Sequence, residues 1–366
     1  MTARRGPTLP PGPAPVVPAL PSARATAAFE RRIAAALASH VSSDAPLVVA
    51  CSGGPDSLAT LVAVARTRLP GLVTAAHFDH RLRPAAEVAA ERAIVETTCV
   101  AVGAAFAAGR ASRPPTDRGE AAARESRYRW LAAACGRAGA PACVTGHTLD
   151  DQAETVLLRL TRGTGLGGAA GMAPSGSWPV TPARGVRAPH LLRPLLAITR
   201  AEVEAYLAAL GLTPARDPSN ATPDYARNRV RLEVVPALRS VNPRAAHQIA
   251  AFADRARGDD DALSAWAARA FAKIAECTPD SVCLDRRALL ELPDAVASRV
   301  VRIAAGTLGA TVDRATAHAA LHAARAGGRR AALGQGLEAL REGNALVLRP
   351  EPEREAKVSE KLPAEG

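Results

Sequence analysis

The run Leu47-Val48-Val49-Ala50-Cys51, followed at once by Ser52-Gly53-Gly54-Pro55-Asp56-Ser57, constrains this chain more than any other stretch. A short apolar run bounded by a Gly-rich turn reads as a strand buried on both faces of a parallel sheet. Helical spacing then resumes from Leu58 to Arg68. Further strands are expected at Leu72–Phe78, Val100–Ala107 and Ala142–Thr145. Helices are expected at 29–37, Pro84–Thr98, Gly119–Arg137, Leu149–Thr161 and Arg200–Leu210. Strands alternating with helices mean βαβ units, so the fold class is α/β with a Rossmann-like parallel sheet. Ligands bind beyond the carboxyl ends of such strands. The three most polar clusters fall there: SGGPDS after the first strand, HFDHRLRP after the second and GHTLDD after the fourth.

The first cluster suits a polyphosphate. Gly53 and Gly54 let backbone N–H groups approach an anion, Ser52 and Ser57 add hydroxyls, and the helix opening at Pro55 presents free N–H groups. Asp56 repels phosphate directly, so a carboxylate there implies a bridging Mg²⁺. A tight turn capping a helix is the plainer alternative, and the buried strand before it favours the phosphate. In the second cluster, His77, Asp79 and His80 could pass for a metal site, but no cysteine lies close, which favours a loop on the nucleotide side. In the third, His147, Asp151 and Glu154 stand at i, i+4 and i+7, the spacing of one helix face. An acidic first turn accounts for Asp150 or Asp151 without invoking function. It does not account for the histidine and the second carboxylate. That cluster could hold Mg²⁺, orient an amine or accept its proton. In the helix of Glu120, Arg124 and Arg127, a solvated charged face explains the first two, and Arg127 beside Tyr128 is the better anion contact.

Several motifs recur in one order: HxDHxLRP, ExxxRxxRY, GHxxDDQAET followed by Arg162-Gly163-Thr164-Gly165-Leu166, Arg193-Pro194-Leu195-Leu196, and DPSN…YxRNRVR. The Gly-rich loop resembles the SGGxDS signature of the PP-loop, or N-type ATP pyrophosphatase, family. The whole series over roughly residues 47–243 resembles the bacterial tRNA(Ile)-lysidine synthases. That resemblance implies ATP as co-substrate with Mg²⁺, adenylation of C2 of the wobble cytidine of a CAU-anticodon tRNA(Ile), and attack by the ε-amine of L-lysine. AMP and diphosphate leave, and the codon read changes from AUG to AUA. It assigns Ser52, Gly53, Gly54, Pro55, Asp56 and Ser57 to ATP, with Asp56 on the metal. It places Arg127, His147, Asp151 and Glu154 around the lysine and the reacting centre. Arg216, Arg227, Arg229 and Arg231 become tRNA contacts, where a charged interdomain linker is the other reading. Three positions depart from the family: Cys51 replaces a small residue, Thr148 a second histidine, and Arg81 a common Gly.

Composition narrows the partners. The net charge of +11 draws the chain toward polyanions. The only lysines are Lys273, Lys357 and Lys361, so a GxxxxGK phosphate loop is excluded. None of the six cysteines forms a CxxC pair, which speaks against a related tRNA thiolase and reads as reduced cytosolic thiols. A protein that only binds nucleotide or tRNA would not need the His147, Asp151 and Glu154 cluster. No run nears the roughly 20 apolar residues of a membrane span. Arg4-Arg5 hints at an export signal, but seven prolines between Pro7 and Pro21 break the apolar helix that such a signal needs. The expected organisation is a disordered tail at 1–28, a catalytic domain at 29–235, a smaller, mainly helical tRNA-binding domain at 236–350 and a charged tail at 351–366. Whether the chain pairs as a homodimer stays open.

Overall fold

A computed structural model describes residue 20 and residues 24–113, 119–215, 225–326 and 330–352. The chain divides into two compact units, 1–254 and 255–366. The division falls within a 30-residue helix, past the boundary expected at 235. The first turns of that helix stay with the first unit because Ala246 and Ala250 bury against Leu149 and Ala153.

In the first unit, α1 (Arg24–Ala38) precedes β1 (Leu47–Ala50), α2 (Pro55–Arg66), β2 (Val73–Asp79), α3 (Ala85–Val102) and β3 (Ala105–Arg110). Then come α4 (Gly119–Arg137), β4 (Ala142–Val144), α5 (Leu149–Thr161), α6 (Leu166–Ala169), β5 (Ser175–Gly176), β6 (His190–Leu192) and α7 (Arg200–Ala209). Last are α8 (Ala226–Arg229), a π-helical turn (Val230–Val234), α9 (Val235–Val241) and the start of α10 (Ala245–Ile274). The sheet order is β3-β2-β1-β4-β6-β5, parallel except for β5. Leu47 faces Val73 on one side and Ala142 on the other. Pleating sends Leu47 and Val49 into the core beneath α1, α2 and α7, and Val48 into the one beneath α4 with Tyr128, Leu131 and Cys143. Each fully buried leucine there contributes roughly 1.5–3 kcal/mol.

Two local expectations differ from the structure. Residues Val100–Val102 are the last turn of α3, not a strand; Gly103, at φ 67°, stops the helix with its N–H on Cys99 and Val100 carbonyls, and β3 begins only at Ala105. α1 starts at Arg24, inside the segment expected to be disordered; apart from Leu20, the rest of 1–23 lies outside the described residues.

The second unit holds the rest of α10, then β7 (Ala275–Cys277), β8 (Val282–Asp285), α11 (Arg286–Glu291), α12 (Asp294–Thr307), α13 (Arg314–Arg325), β9 (Arg330–Gly334), β10 (Leu337–Glu342) and β11 (Ala345–Pro350). Helices predominate, as expected. The strands form an antiparallel sheet, β7-β8-β11-β10-β9, larger than the single short piece expected near 333–348. Its pairing of β11 with β8 joins residues about sixty apart, beyond the reach of local pattern.

Candidate active site

The strand order reverses between β1 and β4, and the crevice beyond their carboxyl ends is where an open α/β sheet binds ligands. Two loops meet there. After β1, Gly53 has φ 88°, a conformation a side chain strains, and Gly54 caps α2, whose first residues are Pro55 and Asp56. The Ser57 hydroxyl accepts from the Ser52 N–H and donates to the Gly54 carbonyl, so it braces the loop. Ser52 is exposed, and its hydroxyl lies 3.2 Å from that of Ser57. Cys51, at the strand end, is a buried thiol, and burial pushes its pKa up to about 11. After β4, a Cβ on Gly146 would stand 2.6 Å from the Asp56 carbonyl oxygen. Only glycine lets the two loops come this close.

Asp56 has one carboxylate oxygen, Oδ1, buried with no hydrogen-bond partner. Burial raises its pKa to about 6; the charge of Arg200 opposes this, and that of Asp151 adds to it. An orphaned, partly desolvated carboxylate oxygen beside a Gly-rich loop at a helix start is a fitting ligand for Mg²⁺, whose arrival would hold it ionised. Among the described residues no three His, Cys, Asp or Glu side chains converge on one point, so a bound cation would need oxygens from its substrate.

Thr148 caps α5: its hydroxyl accepts from the Asp151 N–H, while Asp151 Oδ2 accepts from the Thr148 N–H at 2.9 Å. The capping box leaves Asp151 Oδ1 facing outward, one turn below Glu154. Three arginines meet this pair. Arg227 donates from Nε to Glu154 and from Nη2 to Asp151, both at 3.0 Å. Arg231 donates from Nε to Glu154 at 2.7 Å and from Nη2 to Asp151 at 3.3 Å. Arg200 reaches Asp151 at 3.3 Å, Glu154 at 3.8 Å and Asp56 at 3.7 Å. Burial opposes the charge on Asp151, but Arg227 and Arg200 outweigh it and hold the carboxyl below its usual range. Burial likewise opposes the charge on Arg231, and the hydrogen bond and charge of Glu154 raise its pKa in return.

His147 precedes the cap rather than lying on the helix face with Asp151 and Glu154, because the helix begins at Leu149. It stays close enough for the charge of Asp151 to act on it, and its Nδ1 lies 2.9 Å from the Thr145 hydroxyl. Burial lowers its pKa to about 4. Arg127 stands apart from the carboxylate pair: its guanidinium lies 5.2 Å from the Tyr128 ring centre, and its charge acts on both His147 and His80. His77 is buried with Nδ1 3.0 Å from the Cys51 carbonyl oxygen, and Asp79 pairs with Arg110, which leaves this strand end a structural edge of the crevice.

Of the four expected tRNA contacts, Arg227 and Arg231 turn inward onto carboxylates and Arg229 is exposed. Arg216, the turn Asp217–Asn220 and the Glu120 side chain lie outside the described residues. Sequence reading passed over Arg200 and Arg239. Asp150 accepts from the Arg200 N–H at 2.7 Å and pairs with Arg239 at 2.5 Å. Their only signal was position, Arg200 opening a capped helix and Arg239 closing one.

The PP-loop domain family matches residues 25–238. A tRNA(Ile)-lysidine synthase of Salinispora arenicola is 43% identical over 72% of this chain and 77% of its own length. One of Methylobacterium nodulans is 39% identical over 85% of this chain and 91% of its own. A solved U34-tRNA thiolase of Methanococcus maripaludis superposes with a TM-score of 0.51 at 15% identity, over 63% of this chain and 79% of its own; this likeness shows the fold.

Proposed function

From the premise that this chain belongs to the tRNA(Ile)-lysidine synthases, within the PP-loop family, we propose a site-by-site reading of how it joins L-lysine to C2 of the wobble cytidine in CAU-anticodon tRNA(Ile). The reaction is a ligation that forms a carbon–nitrogen bond. The C2 carbonyl oxygen is a poor leaving group. Transfer of AMP from ATP onto that oxygen makes it a good one, and the amine then displaces AMP.

The observation that carries the reading is the reach of Arg200, whose guanidinium lies within 4 Å of Asp56, Asp151 and Glu154 together. A single side chain thus spans the phosphate loop and the carboxylate pair, so an activated base held over the loop lies within reach of an amine held by the pair. Ser52, Gly53, Gly54 and the start of α2 receive the diphosphate portion of ATP, and Pro55 and Ser57 hold the loop's shape. Asp56 would hold Mg²⁺, which screens the charge of the leaving diphosphate. Asp151 and Glu154 already bind cationic nitrogen and would bind the ammonium of lysine in the same way. His147, kept neutral by burial, is a proton acceptor beside them, and Arg127 offers charge to an anionic group on the opposite side. Arg229, with Arg216 and the net charge of +11, favours the tRNA backbone. Four buried thiols without a pairing partner fit a reducing cytoplasm.

The test is incorporation. Protein supplied with ATP, Mg²⁺, labelled lysine and the CAU-anticodon transcript is expected to transfer label to RNA and to release AMP in equal amount. Absence of label in the RNA while ATP still binds would refute the ligase reading. Asp56→Ala is expected to abolish AMP release while tRNA binding survives.

A further inference from the structure

Two carboxylates that would receive an ammonium group are already filled, and by this chain's own side chains. Asp151 and Glu154 are 8% and 2% exposed at their side chains, while Arg227, at 42%, opens to solvent. Counting Arg200, which also reaches Asp56, three guanidinium groups face three carboxylates, so both Asp151 and Glu154 already have cationic partners. Arg227 and Arg231 stand at i, i+4 on one short element, and both donate to the same two acids. Apart from its ion pairs, including Arg239 with Asp150, that element has few buried side chains. Asn228, Val230 and Val235 are buried, whereas Tyr225, Leu232, Val234 and Val241 are 59%, 42%, 40% and 85% exposed. It also contains the π-helical turn Val230–Val234, a geometry that concentrates at functional sites. Arg229, between the two, is exposed.

We propose that Arg227 and Arg231 cover the amine site in the free protein, and that a phosphodiester backbone draws their guanidinium groups off Asp151 and Glu154, so that amine binding follows RNA binding. The inference rests on the ligase reading above. The same arginines have two alternative sets of anionic partners: carboxylates within the chain, and phosphates outside it. Guanidinium serves both through the same forked donors. Arg229 offers the first point of contact, and Arg200, held by its own N–H on Asp150, stays behind when the other two leave. One exchange then does two things: it gains phosphate contacts and leaves two carboxylates facing Arg200 alone, with negative charge for an ammonium group. An ammonium group meets its pocket only when the base that it must attack is present. By linkage the coupling is reciprocal, so lysine tightens RNA binding by the factor that RNA tightens lysine binding.

Equilibrium dialysis of labelled lysine against the full chain, without ATP, reads the coupling directly. Unmodified CAU-anticodon transcript at saturation is expected to tighten lysine binding at least about tenfold, the scale of ordinary allosteric coupling. The variant Arg227→Gln with Arg231→Gln is expected to bind lysine without RNA about as well as the wild type does with it. Arg229→Gln should leave lysine binding in the free protein unchanged and weaken the transcript. If the double variant fails to fold, filter binding of the wild type with and without lysine measures the reciprocal effect. Lysine affinity indifferent to RNA overturns the proposal, and so does a double variant that binds lysine more weakly than the wild type, since the arginines would then hold the lysine carboxylate. Label incorporated in the complete assay with no such coupling sinks this inference alone. No incorporation at all sinks the ligase reading and this inference with it.

Discussion

At the scale of single residues, the site is built from groups whose surroundings cost stability. Asp56 is one. Its folded pKa of about 6 lies above the usual 3.8, so between these values the folded chain binds more protons than the unfolded chain. Its contribution to stability is therefore fullest below pH 3.8 and is lost as pH rises through about 6. Asp56→Asn cannot ionise, so urea unfolding in chelator should find the wild type losing ground to the variant across that window; a constant difference would show that the carboxyl is not desolvated. Arg81 is another. It occupies φ 60°, with its N–H on Asp79 Oδ1 at 2.6 Å, a backbone conformation that glycine adopts without strain. Arg81→Gly should raise stability by about 1 kcal/mol, the usual relief of a left-handed non-Gly residue, read as a higher melting temperature. Gly146→Ala should do the reverse and lower AMP release, because the new methyl displaces the Asp56 backbone.

At the scale of elements, the proposed reading puts the chemistry between α5 and the α8 segment. The cap on α5 does two jobs: it satisfies the helix end and aims Asp151. Thr148→Ala should therefore cost about 1 kcal/mol of stability, typical of a lost N-cap, and reduce lysine affinity as well. Thr148→Ser should restore both, and a variant that lost stability with lysine binding intact would separate the two jobs. Glu154→Gln leaves Arg227 and Arg231 facing a neutral amide; the destabilisation should be about 3 kcal/mol, above that of a surface pair, and denaturation would measure it. The boundaries of α5 were legible because its acidic first turn and helical spacing agree, and they stand at Leu149–Thr161 as expected. The end of α3 was not, since a Val-rich turn before Gly103 suits either a strand or a helix; the left-handed glycine decided it.

At the scale of the molecule, the net charge of +11 should make tRNA binding fall at least about tenfold between roughly 50 and 200 mM salt, a slope that filter binding reads directly. The parallel sheet, the phosphate loop and the order of the polar clusters could be read from the chain itself, because each depends on local features: apolar runs, glycines and helix caps. The ordered motifs likewise identified the family and the reaction that goes with it. Other features exist only once distant segments meet. The antiparallel sheet of the second unit depends on β11 finding β8, and Gly146 matters because it lands on Asp56. In the chain alone Arg227 and Arg231 read as tRNA contacts, with a charged linker as the other reading. Folding set them on Asp151 and Glu154, more than seventy residues away, because two buried carboxylates must be neutralised by whatever cation the tertiary structure brings within reach.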